Sequence, residues 1–269
     1  MRKENFASAI CILLTVFVVA SCEVGIGTRV NRVDLSLHPG AKSFKIAVLA
    51  DPHIDSVAAL TNLDRIVTSV LETHPDFIVL LGDYSSTSKS GQFRAPVTQL
   101  LSRLDTSTTI AVLGNHEHTY GAHHWQSDFR KIGISLLRNE SKILTGSKGS
   151  ICVRGLDDYF SGKARPTPFP LECEHTHKIT ITHDPAAAYF STEPGLYLAG
   201  HTHCGQIDLP VLGPIWIPSV VPEEASCGLY ESGDKRIFVS SGIGTSIVNF
   251  RLGTRSEWDL IEVDIDSLR

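Results

Sequence analysis

The chain has 269 residues, 42% hydrophobic and 20% charged, proportions that suit an ordinary folded core and exclude an intrinsically disordered chain. A single α/β domain of this length buries enough surface to need no stapling. The formal net charge of -5 offers nothing to a polyanion, so no nucleic-acid partner is expected.

Arg2 and Lys3 precede an apolar run from Phe6 to Ala20, which is too short to span a bilayer comfortably. The run ends in Val19-Ala20-Ser21-Cys22, which resembles the lipobox of bacterial lipoproteins. That resemblance implies cleavage before Cys22 and a lipidated cysteine at the new N-terminus. An uncleaved membrane anchor is the other reading. Positive charge ahead of the run keeps the N-terminus in the cytoplasm. Either way the remainder lies in the cell envelope, outside the cytoplasm, and associates with the membrane through an N-terminal lipid or anchor. Residues 1–21 are thus expected to be a signal peptide, and residues 22–40 a tether and first strand.

From there one pattern recurs: a short apolar run, then abruptly a group of polar side chains. Lys45 to Ala50 runs into Asp51-Pro52-His53, and Phe77 to Leu81 into Gly82-Asp83. Thr109 to Leu113 runs into Gly114-Asn115-His116-Glu117. Lys178 to Thr182 leads to His183-Asp184, and Leu196 to Ala199 to Gly200-His201-Thr202-His203. Runs of this length, rich in β-branched and aliphatic residues and bounded by Gly, Pro or Asp, read as buried strands.

Between the first two runs, Val57, Leu60, Leu63, Ile66 or Val67, and Val70 or Leu71 form a helical stripe. Pro96 opens a second helix carrying Val97, Leu100, Leu101 and Leu104, and Trp125, Phe129 and Ile132 mark a third. Arg236 to Ser240 and Trp258 to Ile265 are further strands, and the polar-apolar alternation of the latter predicts a sheet with one wetter face. The expected fold class is α/β, with two packed mixed β-sheets flanked by helices and ligands gathered at the carboxyl ends of the strands.

Six cysteines are present. Cys11 lies in the leader and Cys22 would carry lipid. Cys152, Cys173, Cys204 and Cys227 show no CxxC spacing; an oxidising envelope permits disulfides, but spacing does not assign partners, and the four read as structural cysteines, free or paired.

Any one polar group at a strand end means little, since a lone Asp-x-His is usually a capped turn. Five such groups in this order are hard to assign to core packing. Glycine in Gly-Asn-His-Glu and Gly-His-Thr-His lets backbone approach a crowded site, and imidazoles two residues apart reach two adjacent ions.

The series Asp51-x-His53, Gly82-Asp83, Gly114-Asn115-His116-Glu117, His183, Gly200-His201-Thr202-His203 resembles the calcineurin-like metallophosphoesterase family, from about Lys45 to the C-terminus. A narrower likeness is to its bacterial, membrane-associated phosphodiesterase-like branch. Counterparts there are Leu137-Arg138-Asn139-Glu140, Gly155-Leu156-Asp157-Asp158, Gly205-Gln206 and Ser241-Gly242-Ile243-Gly244-Thr245. The resemblance implies a four-layer sandwich of the metallophosphoesterase type, with residues 41–269 as the metallophosphoesterase domain. It also implies that Asp51, His53 and His203 hold one divalent metal, that Asn115, His183 and His201 hold a second, and that Asp83 bridges them. Oxygen and imidazole ligands without thiolate suit Mn, Fe or Zn. A bridging carboxylate keeps two ions about 3.5–4 Å apart, and a shared water, deprotonated near neutral pH, attacks phosphorus in line. His116 is then free to act as the catalytic residue that stabilises charge or protonates the leaving oxygen, with Glu117 either orienting it or solvated.

The chain departs from the family pattern in several places. Pro52 stands where a larger apolar residue is usual, Glu117 where aspartate is, Asp184 where the branch often has asparagine, and Cys204 where a glycine is. Cys204 reads as a buried spectator beside His203. Cys173-Glu174-His175-Thr176-His177 looks like a soft-metal cluster but follows a Pro-rich stretch and reads as a solvated loop. His118, His123 and His124 are expected on a mobile flap. Asp157 and Asp158 either guide substrate or cap a turn, and Arg251 reads as a surface residue.

The expected substrate is a small-molecule or lipid-linked phosphate ester. Some relatives in the branch hydrolyse a UDP-diacylglucosamine intermediate of lipid A synthesis; that substrate is made on the cytoplasmic side, in conflict with the export signal, so this pyrophosphate hydrolase activity stands only as an alternative. A nuclease is disfavoured by the negative balance, and a non-catalytic metal-binding module by the presence of all seven ligands. A purple-acid-phosphatase variant needs a tyrosine where Ser86 stands.

Overall fold

The computed structural model describes residues 28–36, 42–86 and 88–264. The expected signal peptide, Cys22 and most of the tether lie outside the described residues. In chain order the main elements are β1 (Arg29–Asp34), β2 (Ser43–Leu49), α1 (Val57–Glu72), β3 (Phe77–Leu80), α2 (Arg94–Leu101), β4 (Thr109–Ala111), α3 (Asn115–Tyr120), α4 (Ala122–Ile132) and β5 (Ser135–Leu136). They continue with β6 (Glu140–Gly146), β7 (Gly149–Gly155), β8 (His177–Ile181), α5 (Ala186–Tyr189), β9 (Gly195–Ala199), β10 (Asp208–Leu209), β11 (Gly213–Pro214), β12 (Gly228–Ser232), β13 (Lys235–Val239) and β14 (Glu257–Asp264).

Among the described residues the strands form two six-stranded sheets, ordered β1-β14-β2-β3-β4-β5 and β12-β13-β9-β8-β7-β6, plus a β10–β11 ribbon. Both sheets are mixed. β2 to β5 run parallel while β14 runs antiparallel to β2; β13, β9, β8 and β7 run parallel, with antiparallel β12 and β6 at the edges. Phe44, Ile46, Val48, Phe77 and Val79 of the first sheet pack with Ile151, Val153, Ile179, Ile181 and Leu198 of the second. Full burial of each such large side chain contributes about 1.5–3 kcal/mol. Phe44 and Phe77 meet edge to face at 5.2 Å, the arrangement ring quadrupoles favour.

On the outer face of the first sheet, α1, α2 and α4 bury a second core. Ser56 caps α1 by accepting from the amide of Ala59, satisfying one of the orphan N–H groups of a first turn. The buried ridge of α1 is Leu63, Ile66, Val67 and Val70; Val57, expected to begin it, is exposed because it sits at the helix start, beyond the sheet. α2 starts two residues ahead of Pro96, which lies in the first turn, where a missing N–H costs nothing. The outer face of the second sheet has a thinner cover, the four-residue α5 against Tyr197, Ile237 and Val239.

One expectation is corrected. The alternation in β14 does not mark a wetter face, because β14 lies between β1 and β2, and Asp259 and Asp264 are buried. Asn31 of β1 donates to Asp259 Oδ1 at 2.7 Å. What the fold achieves for the site is convergence: the loops after β2, β3, β4, β8 and β9 all emerge on one side of the two-sheet stack, where backbone bonds such as Asp51 N to Gly82 O, His53 N to Asp83 O and Gly200 N to His183 O knit them together.

Candidate metal centre

The strand-end residues meet in one place. Ring nitrogens and carboxylate oxygens of Asp51, His53 and His203 lie within 4.8 Å of one another, as do those of Asp83, His183 and His201, and of His53, Asp83 and His116. Asp83 Oδ2 stands between the groups, 3.5 Å from His53 Nε2 and 3.3 Å from His183 Nε2. Asn115 Oδ1 is 3.1 Å from His183 Nε2. His53 and His203 approach to 3.1 Å between Nε2 atoms, as do His201 Nδ1 and His183 Nε2.

Holding them so close distorts the backbone. Asp51, His53, Asp83, His201, His203 and Cys204 have φ between 46° and 70°. Such left-handed conformations cost about 1–3 kcal/mol each in non-glycine residues and persist only where the surroundings over-determine them. Two glycines make room. A Cβ on Gly114 would fall 2.1 Å from Asp83 Oδ1, and one on Gly200 would fall 2.5 Å from Asp51 Oδ2.

The donor set fits cations. His183 Nδ1 lies 2.7 Å from Leu81 O, and His201 Nε2 lies 2.6 Å from Pro218 O. Each carbonyl takes the ring N–H, which directs the opposite nitrogen of each imidazole, as a lone pair, toward its neighbour 3.1 Å away. Asp51 Oδ1 is buried without a hydrogen-bond partner, although it sits 3.8 Å from His53 Nε2 and from His203 Nε2. A buried carboxylate oxygen without a donor is costly unless positive charge meets it.

Burial and the two carboxylates set the electrostatics of the donor set without a cation. Burial pushes Asp51 up to about 7. Burial pushes His53 down to about 3 and, with His183 beside it, His201 down to about 4. His203 is held well below the ordinary histidine range by burial, then by His53 and Arg251. At His183 burial is outweighed by the Asp83 and Asp51 carboxylates, which hold it well above that range; Asp83 is correspondingly held low by His183 and His53 against its own burial.

A family model for calcineurin-like phosphoesterases matches residues 44–205, more than half of the chain. The chain belongs to the calcineurin-like phosphoesterase family.

Within this family it is 31% identical over 240 residues to the metallophosphoesterase YkuE of Bacillus subtilis, covering 86% of this chain and 83% of that one. It is 28% identical to the phosphodiesterase YaeI of Escherichia coli, covering 90% of each chain. A bovine transmembrane protein with metallophosphoesterase domain is 29% identical over 95% of this chain and 62% of its own length. Among solved structures, the 5'-nucleotidase precursor of Thermus thermophilus aligns with a TM-score of 0.47 at 11% identity, over 84% of this chain and 56% of that one. As a calcineurin-like phosphoesterase the chain is a phosphoric ester hydrolase.

The phosphoesterase site differs from the sequence reading in its supports. Glu117 neither orients the His116 ring nor meets solvent. It is fully buried, and Oε2 accepts from the amides of Asp83 and Gly114 at 2.7 and 3.0 Å while Oε1 accepts from Tyr84 at 2.9 Å. Burial and the charge of Asp83 push its carboxyl up to about 8, and the amide donors pull it the other way. The His116 ring is oriented instead by Ser86, whose carbonyl lies 2.6 Å from Nδ1, leaving Nε2 3.9 Å from Asp83 Oδ2 on the partly open side of the site.

Arg251 is the main residue sequence reasoning missed. It is buried rather than on the surface, with Nη2 3.1 Å from His203 Nδ1 and donating to the carbonyls of Ser241 and Gly244 at 2.7 and 2.6 Å. The signal available was the Ser241-Gly242-Ile243-Gly244 loop, whose carbonyls need a buried donor. Cys204 is no free thiol: it is bonded to Cys227, and Cys152 to Cys173. Asp184 points away from the ligands, accepting from Ala186 N and Ser219 Oγ.

His118, His123 and His124 sit on α3 and α4 rather than on a flap. His118 Nε2 pairs at 2.6 Å with Asp157, which Arg138 also contacts, so Asp157 serves a structural ion pair. Asp158 caps a turn by accepting from Ser161 N. The Cys173 to His177 segment is no metal cluster, since Cys173 is disulfide-bonded and His177 begins β8.

Proposed function

We propose that this protein is an exported phosphoesterase that hydrolyses a phosphodiester or phosphomonoester on two divalent cations. In this reading Asp51, His53 and His203 hold one ion, Asn115, His183 and His201 the other, and Asp83 is shared. The observation that carries it is Asp83 Oδ2, within 3.5 Å of a ring nitrogen from each group. Bound cations of the Mn, Fe or Zn type supply Lewis acidity toward the phosphoryl oxygens and activation of a water nucleophile.

The chain's own residues do the rest. Leu81 O and Pro218 O fix the tautomers of His183 and His201, an outer-shell device that orients ligands. Ser86 O holds His116 with Nε2 turned to the open side, suited to stabilising charge on phosphorus or giving a proton to the leaving oxygen. Two disulfides, bonds that persist in oxidising compartments, and the basic, apolar N-terminal segment support export and membrane attachment.

The test is metal analysis of the purified chain together with a panel of chromogenic mono- and diesters. Wild type is expected to hold two ions per chain and to hydrolyse at least one ester class. Asp83→Ala is expected to lower metal content and abolish turnover; near-normal activity in that variant would remove the assigned centre.

A further inference from the structure

One side of the site is bordered by an apolar surface that hydrolysis does not require. The turn of the β10–β11 ribbon carries Val211 and Leu212, 104% and 80% exposed, and Ile215 and Trp216 follow. Beside it, the loop between Gly244 and Arg251 presents Ile247, 82% exposed, and Phe250. Val211 and Ile247 hold φ of 73° and 64°, outlying values for β-branched residues, yet both side chains point into solvent. Gln206 straps the two loops together, donating to Val248 O and Phe250 O and accepting from Ser246 N. Ile215, Trp216, Ile247 and Val248 line a groove of about 160 Å³ that His203 also lines. The apolar surface is therefore continuous with a proposed metal ligand.

We infer that this surface docks into a phospholipid bilayer, and that the esters reaching the site are carried by lipids of that bilayer. The second clause rests on the phosphoesterase reading; the first does not. Thr28, the first described residue, bonds Ser256 and lines a cleft with Asn249 and Phe250, so the N-terminal segment joins the fold on this same face. Residues 21–27 alone separate Thr28 from the apolar run of Phe6 to Ala20, and Cys22 is nearer still, a reach of at most about 25 Å at full extension. Whether the run itself or a lipid on Cys22 is held in the membrane, this face stays close to it.

The chemistry of the patch suits an interface. Large aliphatics with an exposed tryptophan are the side chains that settle at the head-group boundary, and contiguous apolar surface of this kind marks an interaction site. Asp208 lies within the ribbon, and Glu223 is packed beside Gly213. Such acidic neighbours favour insertion by apolar contact over attraction to anionic head groups.

Trp216 provides the readout. Trp125 and Trp258 are buried and Trp216 is exposed. The full chain would be reconstituted on phosphatidylcholine vesicles with plain or brominated acyl chains, and its tryptophan emission compared. Docking predicts quenching by the brominated lipid that disappears in Trp216→Phe. It also predicts that a Val211→Glu, Leu212→Glu chain, checked for native circular dichroism, still floats with vesicles through its N-terminal segment but loses the quenching. Equal emission in plain and brominated vesicles, from a chain that hydrolyses a soluble diester, overturns docking while leaving the phosphoesterase reading intact. Quenching in a chain that hydrolyses no ester supports docking and defeats that reading. Concentration-dependent dimerisation that shields Trp216 from bromolipid assigns the surface to a second copy and also overturns the inference.

Discussion

Replacing Glu117 with glutamine tests whether the Asp83 loop is held from beneath. The carboxylate accepts well-formed bonds from the amides of Asp83, Gly114 and Tyr84 at 2.7, 3.0 and 2.9 Å, with Ser85 more distant at 3.4 Å. Glutamine has the same shape but turns one oxygen into an NH₂ group. Whichever way the amide faces, at least one buried N–H then meets a donor. An orphaned buried donor costs about 1–3 kcal/mol. In a domain of this size a loss of at least about 1 kcal/mol lowers Tm by roughly 2 °C or more. Asp83 is among the residues set loose, so the loss should extend to metal. The assay is thermal unfolding by circular dichroism, with and without added Mn²⁺: the variant melts lower, and the metal-induced rise in Tm shrinks. A Glu117→Gln protein that melts within about 1 °C of wild type and shows an undiminished metal-induced rise would refute the reasoning.

His116→Ala is expected to keep both metals yet lose turnover by about 10²–10⁴-fold on esters with poor leaving groups. The loss should be smaller for nitrophenyl esters, whose leaving group needs no proton; equal losses across leaving groups would restrict His116 to charge stabilisation. Burial raises the Asp259 carboxyl to about 7 in the folded chain from 3.8, so the folded state binds its proton more tightly than the unfolded state. The stability this contributes is full below pH 3.8 and is lost as pH rises through 7, by roughly 4 kcal/mol at the limit of about 1.4 kcal/mol per unit. Asp259→Asn should therefore lose less stability than wild type between pH 5 and pH 8 in urea titrations, and parallel pH profiles for the two chains would count against a buried, proton-binding Asp259.

The donors that meet in the site were legible because their chemistry is local. Each group of them follows its own strand within three or four residues, and neither carboxylate, amide nor imidazole can be exchanged for another residue type without changing what it can bind. Strand endings are local too, being apolar runs stopped by Gly, Pro or Asp. The edge strands β6 and β12 escaped notice for the converse reason: one face of each is solvated, so their apolar signal is weak.

Sequence alone determined the α/β class, the strand-end clusters and the family, since hydrophobic period and ligand type are written residue by residue. Tertiary structure alone decided what supports them. Arg251 reaches His203 across 48 positions, Glu117 reaches back 34 to Asp83, and Cys204 finds Cys227 23 residues away. A charged side chain reads as a surface residue until the fold brings carbonyls or amides around it. An alternating strand reads as half-wet until a neighbour such as β1 closes over its edge. These contacts depend on where two distant loops arrive together, and that is settled by how the sheets pack rather than by any run of residues within either loop.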